Sequence, residues 1–303
     1  MKNIISIFVV AITIIAITTT TTKAQVGPFG GGDGYTEATA YQIHTIEHLE
    51  ELKDSVHNDV SNVCNWSLNK YFKLMNNITD SVRFVIGYNH SGNDAKLFQG
   101  NFDGQNYTIT LAIDNPQQNH VALFAFLGSS NTCLLDTANY IRNLKVNGYV
   151  KGGIFAAGIV AVTNQYKGYK KVYNCINMAN ITSGAGGSAG GVVGGIHANG
   201  GDSTILTRCI NLGNVYGEFA VGGIVGDVSW LSSHHTFITN NVNNGYVKGH
   251  NNIVALLRVG GIVGRAIIPS NSNDNILIMD CISTGVIEAP QGANAGGICG
   301  FCP

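Results

Sequence analysis

Several groups of residues in this 303-residue chain have types and spacings that could do chemistry, and each has a plainer competing reading. His44-Thr45-Ile46-Glu47-His48 spells HxxEH, the order in which an inverted zinc-protease helix offers two imidazole ligands and a glutamate to activate water. That chemistry needs both histidines on one helical face and a further carboxylate ligand downstream. Thr45 suits a helix N-cap, which leaves His44 outside the first turn, and no glutamate occurs between Glu51 and Glu218. The string reads as a helix start, and no metal or cofactor is expected from it.

Cys299-Gly300-Phe301-Cys302 has the CxxC spacing of redox pairs. Cys299 recurs in register with Val193, Val225 and Val263, so it reads first as a repeat residue, with a local bridge or an intermolecular thiol open for Cys302. Asp227 with Arg208 or Arg265 is the one acid and base grouping in the second half worth testing for polysaccharide cleavage. Such cleavage needs grouped carboxylates, or a calcium site beside a basic residue. His234-His235 has no visible third ligand and reads as a solvated or packed loop. Tyr149, Tyr216 and Tyr246, with Trp230, could present an outward aromatic surface to a glycan, and packing or edge protection explains the same residues. The spacing therefore predicts no catalytic, cofactor-binding or metal-binding residues.

The elements that hold these residues are legible from repetition. A glycine-flanked apolar block occurs five times, as AGIVA at 157–161 and then GGVVG, GGIVG, GGIVG and GGICG starting at 190, 222, 260 and 296. A second block precedes each: NLKVNGYV, CINMANI, CINLGNV, NVNNGYV and CISTGVI. Short aliphatic runs bounded by Gly and Asn read as strands, and strands that short bury a core only when stacked coil on coil. The expected architecture is an all-β solenoid with about three strands per turn. Val172, Leu206, Ile238 and Ile278 should share one inward column, and Ile159, Val192, Ile224, Ile262 and Ile298 another.

The same register places Asp227 beside Arg265, expected as an exposed ion pair worth at most about 1 kcal/mol. Cys175, Cys209, Asn241 and Cys281 form a column of small side chains inside the coil, and a Cys175 to Cys209 disulfide is also within reach between adjacent coils.

Residues 1–24 read as a secretory signal peptide, with Lys2, the apolar run from Ile4 to Ile17 and a cleavage point after Ala24. No membrane span is expected after cleavage. Residues 25–138 are expected to hold a capping helix, its apolar stripe on Ile46, Leu49, Leu52 and Val56, and the first coils. Strands are predicted at 71–74, 82–86, 107–113 and 121–127, with a hairpin turn at Asp103-Gly104. Residues 139–303 are the repeat region, and the chain finishes inside a repeat. Either a continuation or self-association is expected at that open end. Composition agrees: 39 glycines, only 12 % charged residues and 45 % apolar residues exclude disorder, and a net charge of −1 argues against a nucleic-acid partner.

The ordered series GGDGYTEATAYQIHTIEHLEEL, NKYFKLMNNIT and LFQGNFDGQNYTITLAI, followed by repeated GGIVG and CINxGxV blocks, resembles bacterial secreted and surface proteins built from GLUG-motif repeats. The resemblance covers nearly the whole mature chain. It implies a right-handed parallel β-helix, export and a place at the cell surface. Relatives carry such repeats beside IgA-specific metallopeptidases or in adhesin-like proteins. The expected function is thus a secreted or surface scaffold that binds a host or environmental glycan or a surface protein and has no catalytic centre. The alternatives are a carbohydrate-active β-helix enzyme, lyase or hydrolase, or the non-catalytic repeat region of a larger surface peptidase.

Overall fold

The computed structural model describes residues 29–58, 64–88, 96–128, 138–165, 168–199, 203–232, 234–250, 254–268 and 274–303. The signal-peptide region therefore lies outside the described residues. The remainder is a parallel β-solenoid of about six turns with one α-helix. No described helix is long and apolar enough to cross a membrane.

The chain enters through β1 (Tyr41–Ile43) and α1 (Ile46–His57). Leu49, Leu52 and Val56 of α1 are buried in the main core, and Thr45 holds the N-cap position without a side-chain cap bond. Rings close the same end: Phe29 and Tyr41 both stack against Trp66, with centroids 5.9 and 5.7 Å apart. Next come β2 (Tyr71–Leu74), β3 (Ile78–Val82), β4 (Asn101–Asp103), β5 (Thr108–Asp114), β6 (His120–Val121) and β7 (Phe124–Gly128). A full coil follows as β8 (Asn139–Arg142), β9 (Lys145–Lys151), β10 (Phe155–Ala157) and β11 (Val160–Gln165). β3 lies earlier than the strand expected over 82–86.

Each strand pairs in parallel with its counterpart one coil away, which builds four walls. The three strands per turn expected from sequence become four because the Gly-Gly block is a corner rather than one strand: β10 and β11 belong to different sheets. In later coils the second wall divides again, as in Ile176–Asn177 and Asn180–Thr182. The expected columns are present up to the last coil, where Ile278 is only partly buried and Ile298 is 38 % exposed. Phe72, Phe102, Ile141, Val172, Leu206, Ile238 and Ile278 stack in one file on the first wall. Ile159, Val192, Ile224 and Ile262 are fully buried at the corner, and each amide donates to the carbonyl of the next.

Asp103-Gly104 does not make a hairpin. β4 continues in parallel with its neighbours on both sides, and the positive φ of Gln105 (50°) and Asn106 (63°) turns the chain from the first wall to the second. That corner recurs as a stack of left-handed residues: Asn143, Asn174, Arg208, Asn240 and Asp280. Just past it, the third residue of the CIN and NVN blocks faces inward. Asn177 Nδ2 donates to Asn211 Oδ1, and Asn211 Nδ2 to Asn243 Oδ1, both at 2.8 Å, while the three amides also bond to carbonyls two residues on. A buried amide is tolerable only when satisfied, and this ladder satisfies each rung along the coil axis.

At the far end, the strands Asn275–Met279, Asn294–Gly296 and Cys299–Phe301 each pair on one side only among the described residues. Ile282 and Val286 there are 56 % and 66 % exposed.

Candidate functional site

The Gly-Gly corner joins the third and fourth walls and brings two sequence positions together. The step is flanked by the residue two before it and the residue seven further on, Phe155 and Val162, Ser188 and Gly195, Ala220 and Asp227, Arg258 and Arg265, and Asn294 and Phe301, and contacts across the corner run to the next coil, Phe155 toward Gly195 and Arg258 onto Phe301. These ten residues form two parallel files in register across successive coils. The corner is so acute that a Cβ at Gly264 would collide with backbone at Val221 and Ala220, so glycine is required there. The result is a groove along the outside of the solenoid.

At its centre lies a cavity of about 410 Å3 lined by Ile154, Phe155, Ser188, His197, Phe219, Asp227 and Arg265. Asp227 is 1 % exposed. Arg265 grips it with two parallel hydrogen bonds, Nε to Oδ1 at 2.6 Å and Nη2 to Oδ2 at 2.8 Å, and the Ser229 hydroxyl donates to Oδ2 at 2.7 Å. The register expectation is met, but the exposed pair is corrected to a buried one, because the corner folds the third wall over the carboxylate. Burial alone would raise the Asp227 pKa. The interactions with His197, Arg265 and Ser229 outweigh it and hold the carboxyl below its usual range. His197 Nε2 lies 3.8 Å from Oδ2, a Coulombic distance rather than a hydrogen bond, and this buried nitrogen has no hydrogen-bond partner among the described residues.

Aromatic rings flank the charges. The Phe219 ring lies 4.4 Å from the Arg265 guanidinium and the Phe301 ring 4.7 Å from that of Arg258. Phe155 meets His197 edge-on at 4.8 Å and stacks on His120 at 5.6 Å. Burial, with His197 second, pushes the His120 pKa down to about 4, so this imidazole is neutral at ordinary pH.

The other sequence candidates lie apart. Arg208 sits in the left-handed corner stack, away from Asp227. Tyr216 and Tyr246 are neighbours, with rings 5.9 Å apart and edge-on. Tyr149 does not extend their ladder: it pairs with Asn180, whereas Tyr216 pairs with Thr182 and Lys248, two positions along the strand. The Tyr246 hydroxyl donates to Glu288, which also pairs with Lys248. The side chain of Trp230 lies outside those described. His44 precedes α1, and its backbone N–H donates to His48 Nδ1 at 3.1 Å. Among the described residues no three metal-ligating side chains converge.

Cys175 and Cys209 are free thiols, which corrects the disulfide that the coil spacing allowed. Each Sγ lies near backbone carbonyls of the first wall, and burial, then Cys175, raises the Cys209 thiol well above its ordinary value. Cys299 and Cys302 form a local disulfide, with Cys299 in register with Val263. His234 is fully buried, and its Nε2 accepts from the Thr204 N–H at 3.0 Å.

Sequence reasoning missed Phe155, His197, Phe219 and Ser229 as neighbours of Asp227. The available signal was a contrast: the Gly-Gly block is invariantly aliphatic, while the two flanking files read Phe, Ser, Ala, Arg, Asn and Val, Gly, Asp, Arg, Phe. Variation in chemistry beside a fixed corner marks an outward face.

No protein-family model matches this chain, and no curated protein does. The fold has a solved counterpart. A Bacteroides ovatus protein, provisionally named an immunoglobulin A1 protease, superposes with a TM-score of 0.57 at 22 % identity, covering 90 % of this chain and 87 % of that one. At that identity the likeness establishes the shared solenoid fold.

Proposed function

We propose that this chain is an exported binding scaffold of the GLUG-repeat kind. It is displayed at the cell surface or secreted, and it recognises a glycan or a surface protein through its outer groove without chemistry of its own. The observation that carries the reading is the state of the buried charges. Asp227 is locked by Arg265 and Ser229, so it is neither a free nucleophile nor a general base, and glycoside hydrolysis ordinarily needs two carboxylates across the scissile bond. A rigid groove with aromatic rims and fixed polar groups is suited to recognition. Binding of the purified mature chain to glycan and matrix-protein arrays tests this. Saturable binding without product release is expected; turnover of a polysaccharide, or no ligand across broad arrays, would overturn it.

The resemblance of the solved counterpart, with its protease name, favours a second placement: the same scaffold as the non-catalytic repeat region of a larger surface peptidase.

A further inference from the structure

The groove also carries a charge that the described residues leave unmatched. Asp227 and Arg265 neutralise one another, but one coil further along the groove the partners of Arg258 among the described residues are all neutral. Its Nη1 donates to the Ala255 and Leu257 carbonyls at 2.7 and 3.1 Å, and with its amide oxygen turned inward Asn294 accepts from Nη1 and Nε. The Arg265 Nη1 has no hydrogen bond among the described residues either. Both guanidinium groups lie on phenyl rings, Phe301 and Phe219, which fixes their planes and leaves free N–H groups on each. Glu218, next to Phe219 in sequence, is engaged at the rim, where it accepts from the Gly186 N–H at 3.0 Å and lies 3.7 Å from His250.

Beside Arg265 the cavity has apolar surface at Ile154, Phe155 and Phe219, against which the C–H face of a pyranose ring can rest. Arg265 reaches back to Asp227 and Phe219 in the preceding coil and Arg258 forward to Asn294 and Phe301 in the next, so the two guanidinium groups lie at successive positions along the groove, whose coils repeat about every 4.8 Å. Planar forked donors suit carboxylates, apolar rims suit sugar rings, and a groove open along the axis suits a chain.

The geometry points to this groove as the seat of an acidic glycan chain, with successive uronate-type carboxylates on Arg265 and Arg258 and a sugar ring over Phe155 and Phe219. This rests on the scaffold reading above and names its ligand class and place.

Titration calorimetry at low salt with a galacturonate trimer and, separately, a galactose trimer tests it on the wild-type chain, Arg258→Gln and Phe219→Ala. The acidic trimer is expected to bind the wild type more tightly than it binds either variant and more tightly than the neutral trimer binds the wild type. That is, both variants should lose tenfold or more, and the neutral trimer should bind at least tenfold more weakly than the acidic one. Circular dichroism confirms folding, and Arg258→Gln, which keeps an amide donor on a half-exposed position, carries the test if Phe219→Ala does not fold. Equal binding of both trimers, unchanged binding by the variants, or no binding of the acidic trimer would overturn the assignment. Variants that keep the wild-type array binding would overturn the groove alone; a wild type silent on every array would overturn the scaffold reading itself.

Discussion

At the residue scale the decisive fact is that Asp227 and Arg265 are buried together. An exposed pair contributes under about 1 kcal/mol, whereas removing one partner of a buried pair costs about 3 kcal/mol because the other is left desolvated and alone. Asp227→Ala is therefore expected to lower the unfolding free energy by about 3 kcal/mol in denaturant titration, and adding Arg265→Met should recover most of the loss. A change under 1 kcal/mol would mean that the pair is solvated. His120 gives the pH counterpart. Its pKa falls from 6.5 in the unfolded chain to about 4 in the fold, so the unfolded state binds the extra proton first. Stability is then complete above about 6.5 and is lost as pH falls toward 4, by as much as about 3 kcal/mol. His120→Gln should flatten that limb of the stability profile; an unchanged slope would show that His120 is solvated.

At the element scale the repeat dictates its own corners. The left-handed stack uses Asn at Asn143, Asn174 and Asn240 and Asp at Asp280, residues that tolerate that backbone, but Arg at Arg208. Arg208→Asn is expected to raise the denaturation midpoint by the equivalent of about 1 kcal/mol with an unchanged m-value. A lower midpoint would mean that the Arg208 side chain stabilises the coil by more than its backbone strains it. What was legible in the sequence follows from the same geometry. Val172, Leu206 and Ile238 could be aligned by eye because burial keeps a column aliphatic. The Asn177, Asn211 and Asn243 ladder was visible as a repeated letter but not as an interior one, since asparagine is polar and only its bonding along the axis makes burial tolerable. The groove was hidden for a different reason. Its two files lie seven residues apart across a Gly-Gly step, and nothing in period 2 or in the repeat length says that the step is an acute corner.

At the scale of the whole molecule, the excess of glycine and the shortage of charge have one origin. Stacked coils need corners without Cβ and solubilise their walls with amides and hydroxyls, so the few charges that remain are conspicuous where they cluster. α1 and the Phe29, Tyr41 and Trp66 rings close one end of the core, while the last coil presents Ile282 and Val286 at the other. Between those ends the solenoid offers a rigid groove whose position depends on the fold and whose specificity depends on two arginines. Arginine side-chain NMR tests that claim most directly: the Nε–Hε signals are followed while a galacturonate trimer is added to the mature chain. Saturable shifts of the Arg258 and Arg265 signals are predicted, with those of Arg142 and Arg83 unmoved; shifts confined to Arg142 or Arg83, or none at saturating trimer, would contradict it.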